Sequence, residues 1–240
     1  MAAAMAPAAA LADEYSNIHS IAIVVKTGND ITLRKLSELS FTEWEQPFPS
    51  RVDIPGTIAR DIETALSPRF QIVKGTMDAS RFRGLQGDEL IAALREDAPT
   101  ADAYVVVGLG FHSFGRIVWS GIGLDEVGDD APQTALYTHI AMAVIDAKTG
   151  KQIDRGTGYF PGGGVFTGPQ PIQICAGSLW PGSAAAMTPS QQTAIETEVI
   201  AAIRAVTPYM LDDANLPNKT GYPFPSSPGD ALATGACHRP

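Results

Sequence analysis

Apolar positions along this chain fall into short continuous runs and four-residue stripes, in an order that reads strand, helix, strand, helix, strand. Ile21 to Val25 is an unbroken apolar run, the pattern of a strand covered on both faces. Turn formers from Thr27 to Asp30 precede a second run at Ile31 to Leu36, so the spacing predicts an opening hairpin. Residues 37 to 51 place Phe41, Trp44 and Phe48 among acidic residues and prolines, and periodicity there leaves strand and loop both open. Ile58, Ile62 and Leu66 recur at four-residue spacing with Ala59 and Ala65 beside them, which makes one helical stripe ended by Pro68. Phe70 to Val73 is β-prone, and Leu90, Ile91 and Leu94 line a helix that starts near Gly87-Asp88, with Asp88 as its N-cap, and stops before Pro99.

Ala103 to Gly110 carries three consecutive valines and reads as a central strand. The stretch from Arg116 to Val127 forms another strand in part, with the acidic Leu124 to Pro132 as a loop. Leu136 to Asp146 and Gln152 to Tyr159 flank Ala147-Lys148-Thr149-Gly150-Lys151, a second hairpin whose Gly150 supplies the positive φ of a tight turn. Residues 161 to 189 are rich in glycine and proline, including Gly162-Gly163-Gly164, and read as a long loop. A last helix runs from Ser190 to Val206, with Ile195, Val199, Ala202 and Val206 facing the core and Pro208 at its end. The fold class is α/β (α+β): a single mixed β-sheet with helices packed against it, in one domain over residues 13–212, followed by an extended Pro-, Gly- and Ser-rich tail over 213–240.

Charge narrows the partners. With 17 Lys and Arg against 26 Asp and Glu, the formal charge is -9, the wrong sign for a phosphate backbone, so nucleic acid is not expected. No stretch is long and apolar enough for a membrane helix. Residues 1–12 are small and apolar and end in Ala10-Leu11-Ala12 before acidic Asp13-Glu14, the grammar of a signal-peptidase site. No basic residue precedes Lys26, so a remnant of a signal peptide and an Ala-rich lead are both open. Export places Cys175 and Cys237 in an oxidising compartment, where one bridge would fasten the tail to the body; two separate thiols are the other reading.

The strand Ala101 to Gly108 and the hairpin Val144 to Ile153 resemble matching segments of a group of bacterial envelope proteins: the curli-secretion lipoproteins, the penicillin-binding-protein activator lipoproteins and the amino-terminal domain of TolB. The similarity spans roughly Ile18 to Val206. It implies a mixed sheet with helices against it, a periplasmic or outer-membrane setting and a role in docking a protein partner. It carries over no catalytic residue. The chain departs from the group in having no lipidated Cys, no pore-forming hairpin and an unmatched 161–189 loop.

Catalytic signatures are not found. Neither Ser120 nor Ser178 stands in the Gly-x-Ser-x-Gly spacing of a nucleophile elbow. Gly108 and Gly110 follow a strand, but Gly115 is too late for a dinucleotide loop. No cofactor is expected. His112 sits just past the end of the central strand, where open α/β sheets place ligands, and His139 with Asp125 and the neighbouring acidic residues would complete a metal or acid-base site. The competing reading makes these isolated structural or surface groups. Phe160, Phe166 and Trp180 form a partner-binding surface or pin the long loop to the body.

Overall fold

The computed structural model describes residues 15–37, 42–114, 117–127, 133–157, 174–175 and 179–216. The Ala-rich start, Phe160, Phe166, Cys237, most of the 161–189 segment and nearly all of the tail lie outside the described residues. The Cys175–Cys237 bridge, one of the two readings of these cysteines, therefore lies outside them too.

Strands β1 (Ser20–Val25), β2 (Asp30–Leu36), β3 (Thr42–Pro49), β4 (Gln71–Val73), β5 (Ala103–Leu109), β6 (Phe111–Phe114), β7 (Ile117–Val127), β8 (Gln133–Asp146), β9 (Gln152–Thr157) and β10 (Ile174–Cys175) join in one mixed, curled sheet. Its order is β3-β2-β7-β8-β5-β1-β4, with β6 beside β7 and with β9 and β10 beside β8. Helices α1 (Ile54–Leu66), α2 (Gly87–Asp97) and α3 (Pro189–Asp213) complete the α/β architecture. β8 spans both halves: Gln133 to His139 pair antiparallel with β7, and Ile140 to Asp146 pair antiparallel with β5. The bond from Gly110 N to His139 O, 2.9 Å, marks where β5 leaves β8 and β7 takes its place.

Alternation decides which helix each strand residue meets. Ile21, Val25, Ala103, Val105, Val107, Met142 and Val144 point to the core shared with α1 and α3. Ala22, Val24, Tyr104, Val106 and Ile145 point to the opposite face, against Leu90 and Leu94 of α2 and Phe82. Hence the central valines of β5 are buried on both sides, as their continuous apolar run predicts.

The predicted opening hairpin does not form. β1 pairs in parallel with β4 and β5, while β2 pairs with β3 and in parallel with β7. Gly28 does not adopt a left-handed φ, so the two-residue turn a hairpin requires is not made. Asn29 instead ties the link to the start of α1: its backbone O accepts from Ser50 N at 2.8 Å, its amide donates to Ser50 O at 2.7 Å and its Oδ1 accepts from Ile54 N at 2.9 Å. Gly150, with φ of 72°, does close the β8–β9 hairpin. Within the 37 to 51 stretch, Thr42–Pro49 forms edge strand β3.

Capping chemistry sets the starts of two helices. Asp53 caps α1, accepting from Gly56 N at 2.9 Å, and Thr188 with Gln191 forms a capping box on α3. The expected Asp88 cap is corrected: Gln86 is the N-cap of α2 and makes no side-chain cap bond. Asp88 and Glu89 lie in the first turn, where they oppose the helix dipole. The expected stop at Pro208 is corrected as well, because α3 runs on to Asp213. An interior proline costs about 3 kcal/mol. Met210 and Leu211 beyond it are both fully buried and return about 1.5–3 kcal/mol each, enough to carry the helix through.

α3 is fastened to the β3–α1 link by Glu196, which is 4% exposed. Its Oε1 accepts from Arg51 N at 2.7 Å, and its Oε2 accepts from Arg51 Nη2 at 3.0 Å. Burial pushes the carboxyl up, and the Arg51 bonds outweigh that and hold it below its usual 4.5. A depressed carboxyl stabilises the fold above the unfolded-state value and loses that contribution as pH falls through the folded value. Glu196→Gln is therefore expected to cost about 1–2 kcal/mol at pH 7, discounted for the half-exposed Arg51. The difference from the parent protein should vanish in urea titrations carried well below pH 4.5.

Candidate functional site

The face of the sheet opposite α1 and α3 carries a row of polar side chains across β2, β7 and β8. Register sets the row: Arg34 lies opposite Asp125, Gly123 opposite Tyr137, and Gly121 opposite His139. Arg34, Asp125, Tyr137 and His139 are all buried, with His139 at 0% exposure. Arg34 Nε stands 3.3 Å from Asp125 Oδ1, and Arg34 Nη2 donates to the Tyr137 hydroxyl at 2.6 Å. The guanidinium carbon lies 5.0 Å from the Tyr137 ring centroid, within cation-π range. Glu45 on β3 adds a longer contact of 3.8 Å from an exposed position.

Tyr137 reaches Arg34 because Gly123 lies between them. A Cβ on Gly123 would collide with the Tyr137 phenol on one side and the Thr32 carbonyl on the other. Burial holds the Tyr137 phenol protonated far above its usual 10, and Arg34 offsets this only in part. Burial pulls the Arg34 guanidinium down, while Tyr137 and Asp125 more than restore it. The array is thus a fixed cation with one carboxylate and one neutral phenol.

Asp125 lies inside β7, so the predicted acidic loop from Leu124 is corrected: strand β7 runs through Val127. A neighbouring cation on β2 is what allows a carboxylate at that buried position. His139 faces the edge of the Tyr137 ring, centroids 5.8 Å apart. It stands four residues along β8 from Ala135, the register partner of Asp125, which amounts to about 13 Å of strand. The Gly123–Tyr137 rung fills the space between them. His112 belongs to β6 and pairs with Trp119 of β7, at a different rung from His139. Among the described residues, no group of three His, Cys, Asp or Glu side chains converges to hold a metal.

Trp180 stacks on Trp44 of β3, centroids 5.6 Å apart at 30°. Both indoles are half-buried, and Ala184 N donates to Gln46 Oε1 at 3.1 Å beside them. This places Trp180 against the body of the protein while leaving part of both rings at the surface. Pro47 and Pro49 lie on the same edge strand and have no N–H to offer a further strand. The β9 edge is closed differently, by Asp213 of α3, whose carboxylate accepts from Thr157 N at 2.9 Å.

A third feature is a crevice of about 440 Å3 at the carboxyl ends of β1 and β4, between the first turn of α1 and the short 3-10 turn Ala79–Phe82. Its carboxylates are already used: Asp53 on Gly56 N, Asp78 on Ser80 N, and Asp97 on Thr76 N and Met77 N.

Sequence reading missed Arg34 and Tyr137, the centre of the buried array. Arg34 sits at an ordinary position in an alternating strand, and nothing local marks its partners, which arrive from β7 and β8.

No protein-family model matches the chain, and no curated protein does. Among solved structures, a protein of Xanthomonas campestris assigned to the DUF330 family is similar over 79% of this chain and 79% of its own, with 10% identity and a TM-score of 0.36. A lipoprotein of Neisseria meningitidis is similar over 58% of this chain and 79% of its own, with 12% identity and a TM-score of 0.28. A hypothetical protein of Chlamydia trachomatis is similar over 79% and 98%, with 11% identity and a TM-score of 0.31. These neighbours are bacterial proteins, one of them a lipoprotein; likeness this slight transfers no site and no activity. Among the described residues, no helix is long and apolar enough to cross a membrane.

Proposed function

We propose that this chain is a non-catalytic, protein-binding accessory module of the bacterial envelope, exported through its residue 1–12 leader and acting as one domain over residues 13–212. The binding surface in this reading is the Trp44–Trp180 stack with the adjoining 161–189 segment. One observation carries it: the Asp125 and His139 side chains that sequence offered for chemistry are enclosed in the sheet, Asp125 against Arg34, while Trp44 of edge strand β3 and the Trp180 indole stacked on it sit half-exposed. Tryptophan in that position is the residue type that dominates interface energetics. Prolines on β3 also steer binding toward side-chain contact there and away from strand addition.

The test is crosslinking of the tagged full-length chain in its native cells, followed by fractionation and mass spectrometry. The expected result is recovery from the envelope with one reproducible partner, whose affinity for purified protein falls by about 30-fold or more in Trp180→Ala. Circular dichroism of the variant checks that it remains folded. Cytoplasmic recovery, or a partner that Trp44→Ala and Trp180→Ala bind as tightly as the parent protein does, overturns the reading.

A further inference from the structure

β1 is longer than β4, and the difference leaves a gap in the sheet. Ser20, Ile21 and Ala22 have Gln71, Ile72 and Val73 of β4 beside them. Among the described residues, Ile23, Val24 and Val25 pair only on their other side, with Val105, Val106 and Val107 of β5. β4 stops at Val73, and its chain turns away through Gly75 toward the 3-10 turn at Ala79. Ile23, Val24 and Val25 line the crevice of about 440 Å3, which therefore opens where β4 would have continued. The ladder decides which backbone groups face it. Gln71 N donates to His19 O at 2.8 Å and Lys26 N donates to Val107 O at 2.7 Å, so odd-numbered residues of β1 turn their backbone groups toward β4 and even-numbered ones toward β5. Ile23 O, Val25 N–H and Val25 O are thus aimed into the gap, and among the described residues no hydrogen bond meets them. Val25 is 3% exposed, and buried backbone groups left unpaired are uncommon.

We propose that this gap is a slot for an extended, positively charged peptide segment, which adds to Ile23–Val25 in line with β4 and parallel to β1. A strand supplies what that edge lacks. One residue facing β1 donates to Ile23 O and accepts from Val25 N–H, and the next facing residue donates to Val25 O. Pro55 and Ala59 of α1 stand on one side of the crevice and Met77 and Phe82 on the other, so the alternating side chains of an added strand meet apolar surface on both faces. Charge selects the peptide. Asp53, Asp78 and Asp97 line the crevice against a single Arg83. Their bonds to N–H groups of their own loops leave the negative charge in place, which favours a cationic partner and opposes a phosphate. The place is also one where open α/β sheets hold ligands. The chain passes from β1 to β4 by way of α1 on one face and from β4 back to β5 by way of α2 on the other, which makes the carboxyl ends of β1 and β4 a switch point. The slot involves neither Trp44 nor Trp180, so it stands or falls apart from the protein-binding reading of that surface.

Amide chemical shifts and amide hydrogen exchange of the full-length protein, titrated at pH 7 and constant ionic strength with acetyl-Lys-Val-Lys-Val-Lys-amide, test the proposal. The expected result is saturable shifts at Ile23 to Val25, Asp53 to Ala59 and Met77 to Phe82. Exchange of the Val25 amide should slow about tenfold or more, while that of Lys26, already bonded to Val107 O, stays unchanged. Ala59→Phe fills the slot between its walls and is expected to weaken binding about tenfold or more. Asp78→Asn, at an exposed position, is expected to weaken it about threefold. Circular dichroism checks that both variants remain folded. The fully N-methylated peptide, which has no N–H to give, and the acidic acetyl-Glu-Val-Glu-Val-Glu-amide are each expected to bind about tenfold more weakly. Equal binding of either, shifts that fail to saturate or that persist in Ala59→Phe, or unchanged Val25 exchange at saturation, overturn the proposal. Shifts at the same residues that grow with protein concentration in the absence of peptide assign the slot to a second copy of this chain and overturn it too.

Discussion

Arg34→Met lowers the unfolding free energy by about 3–5 kcal/mol, the range for removing one partner of a buried ion pair. The side chains of Arg34 and Asp125 are 2% and 6% exposed, so neither charge has bulk water to fall back on. Methionine keeps the stem's volume but leaves the Asp125 carboxylate without its cation and the Tyr137 hydroxyl without its donor. Glu45 does not change the balance, because an exposed ion-pair partner contributes about 0–1 kcal/mol. Urea denaturation reads the effect, and a second variant separates its causes. Arg34→Met/Asp125→Leu removes both charges and is expected to be more stable than Arg34→Met alone, since an apolar replacement of a whole pair is often neutral. A cost below about 1 kcal/mol for Arg34→Met would show that the array does not hold the strands.

Gly156→Ala carries the second large effect, about 3 kcal/mol, at the upper end of the range for overpacking. A Cβ at Gly156 of β9 would lie inside contact distance of the Met210 carbonyl and against Ala214 at the end of α3. A backbone carbonyl in a helix cannot rotate away, so the helix itself has to lift from the sheet. Gly156 does not have a positive φ, which makes the cost steric and not conformational. Gly108 of β5 is the control: a Cβ there meets nothing within 4 Å, and Gly108→Ala should stay within about 0.5 kcal/mol of the parent. Equal denaturation midpoints for the two variants would discard the argument.

The elements that sequence made legible are those whose signal is local. The helical stripe Ile58, Ile62 and Leu66, the three valines of β5 and Gly150 in its turn each state their role within a few residues, and each is found where its pattern puts it. The misjudged elements depend on partners far along the chain. Val25 and Asp30 look like the two sides of a hairpin until β5 and β7 take the edges that β1 and β2 would have offered each other. Asp125 reads as a loop residue because its reason for being in a strand, Arg34, is remote in sequence. Pro208 reads as a helix end because the burial of Met210 and Leu211 that outweighs it belongs to tertiary packing. The candidate site suffered from the same blindness: His139 and Asp125 do share a face, but only the register shows Tyr137 standing between them.

The position of β8 in the sheet sets a schedule for the newborn chain. β1 needs β5, β2 needs β7, and both β5 and β7 need β8 before their edges are covered. Nothing in the first hundred residues can close the sheet: β1 and β2 soon have β4 and β3 on one edge, but their other edges stay open until β5 and β7 have been made and β8 has joined them. At about 5–20 residues per second, that interval lasts roughly 6–25 seconds. A sheet that cannot close before β8 exists leaves the polypeptide threadable until synthesis has passed Asp146.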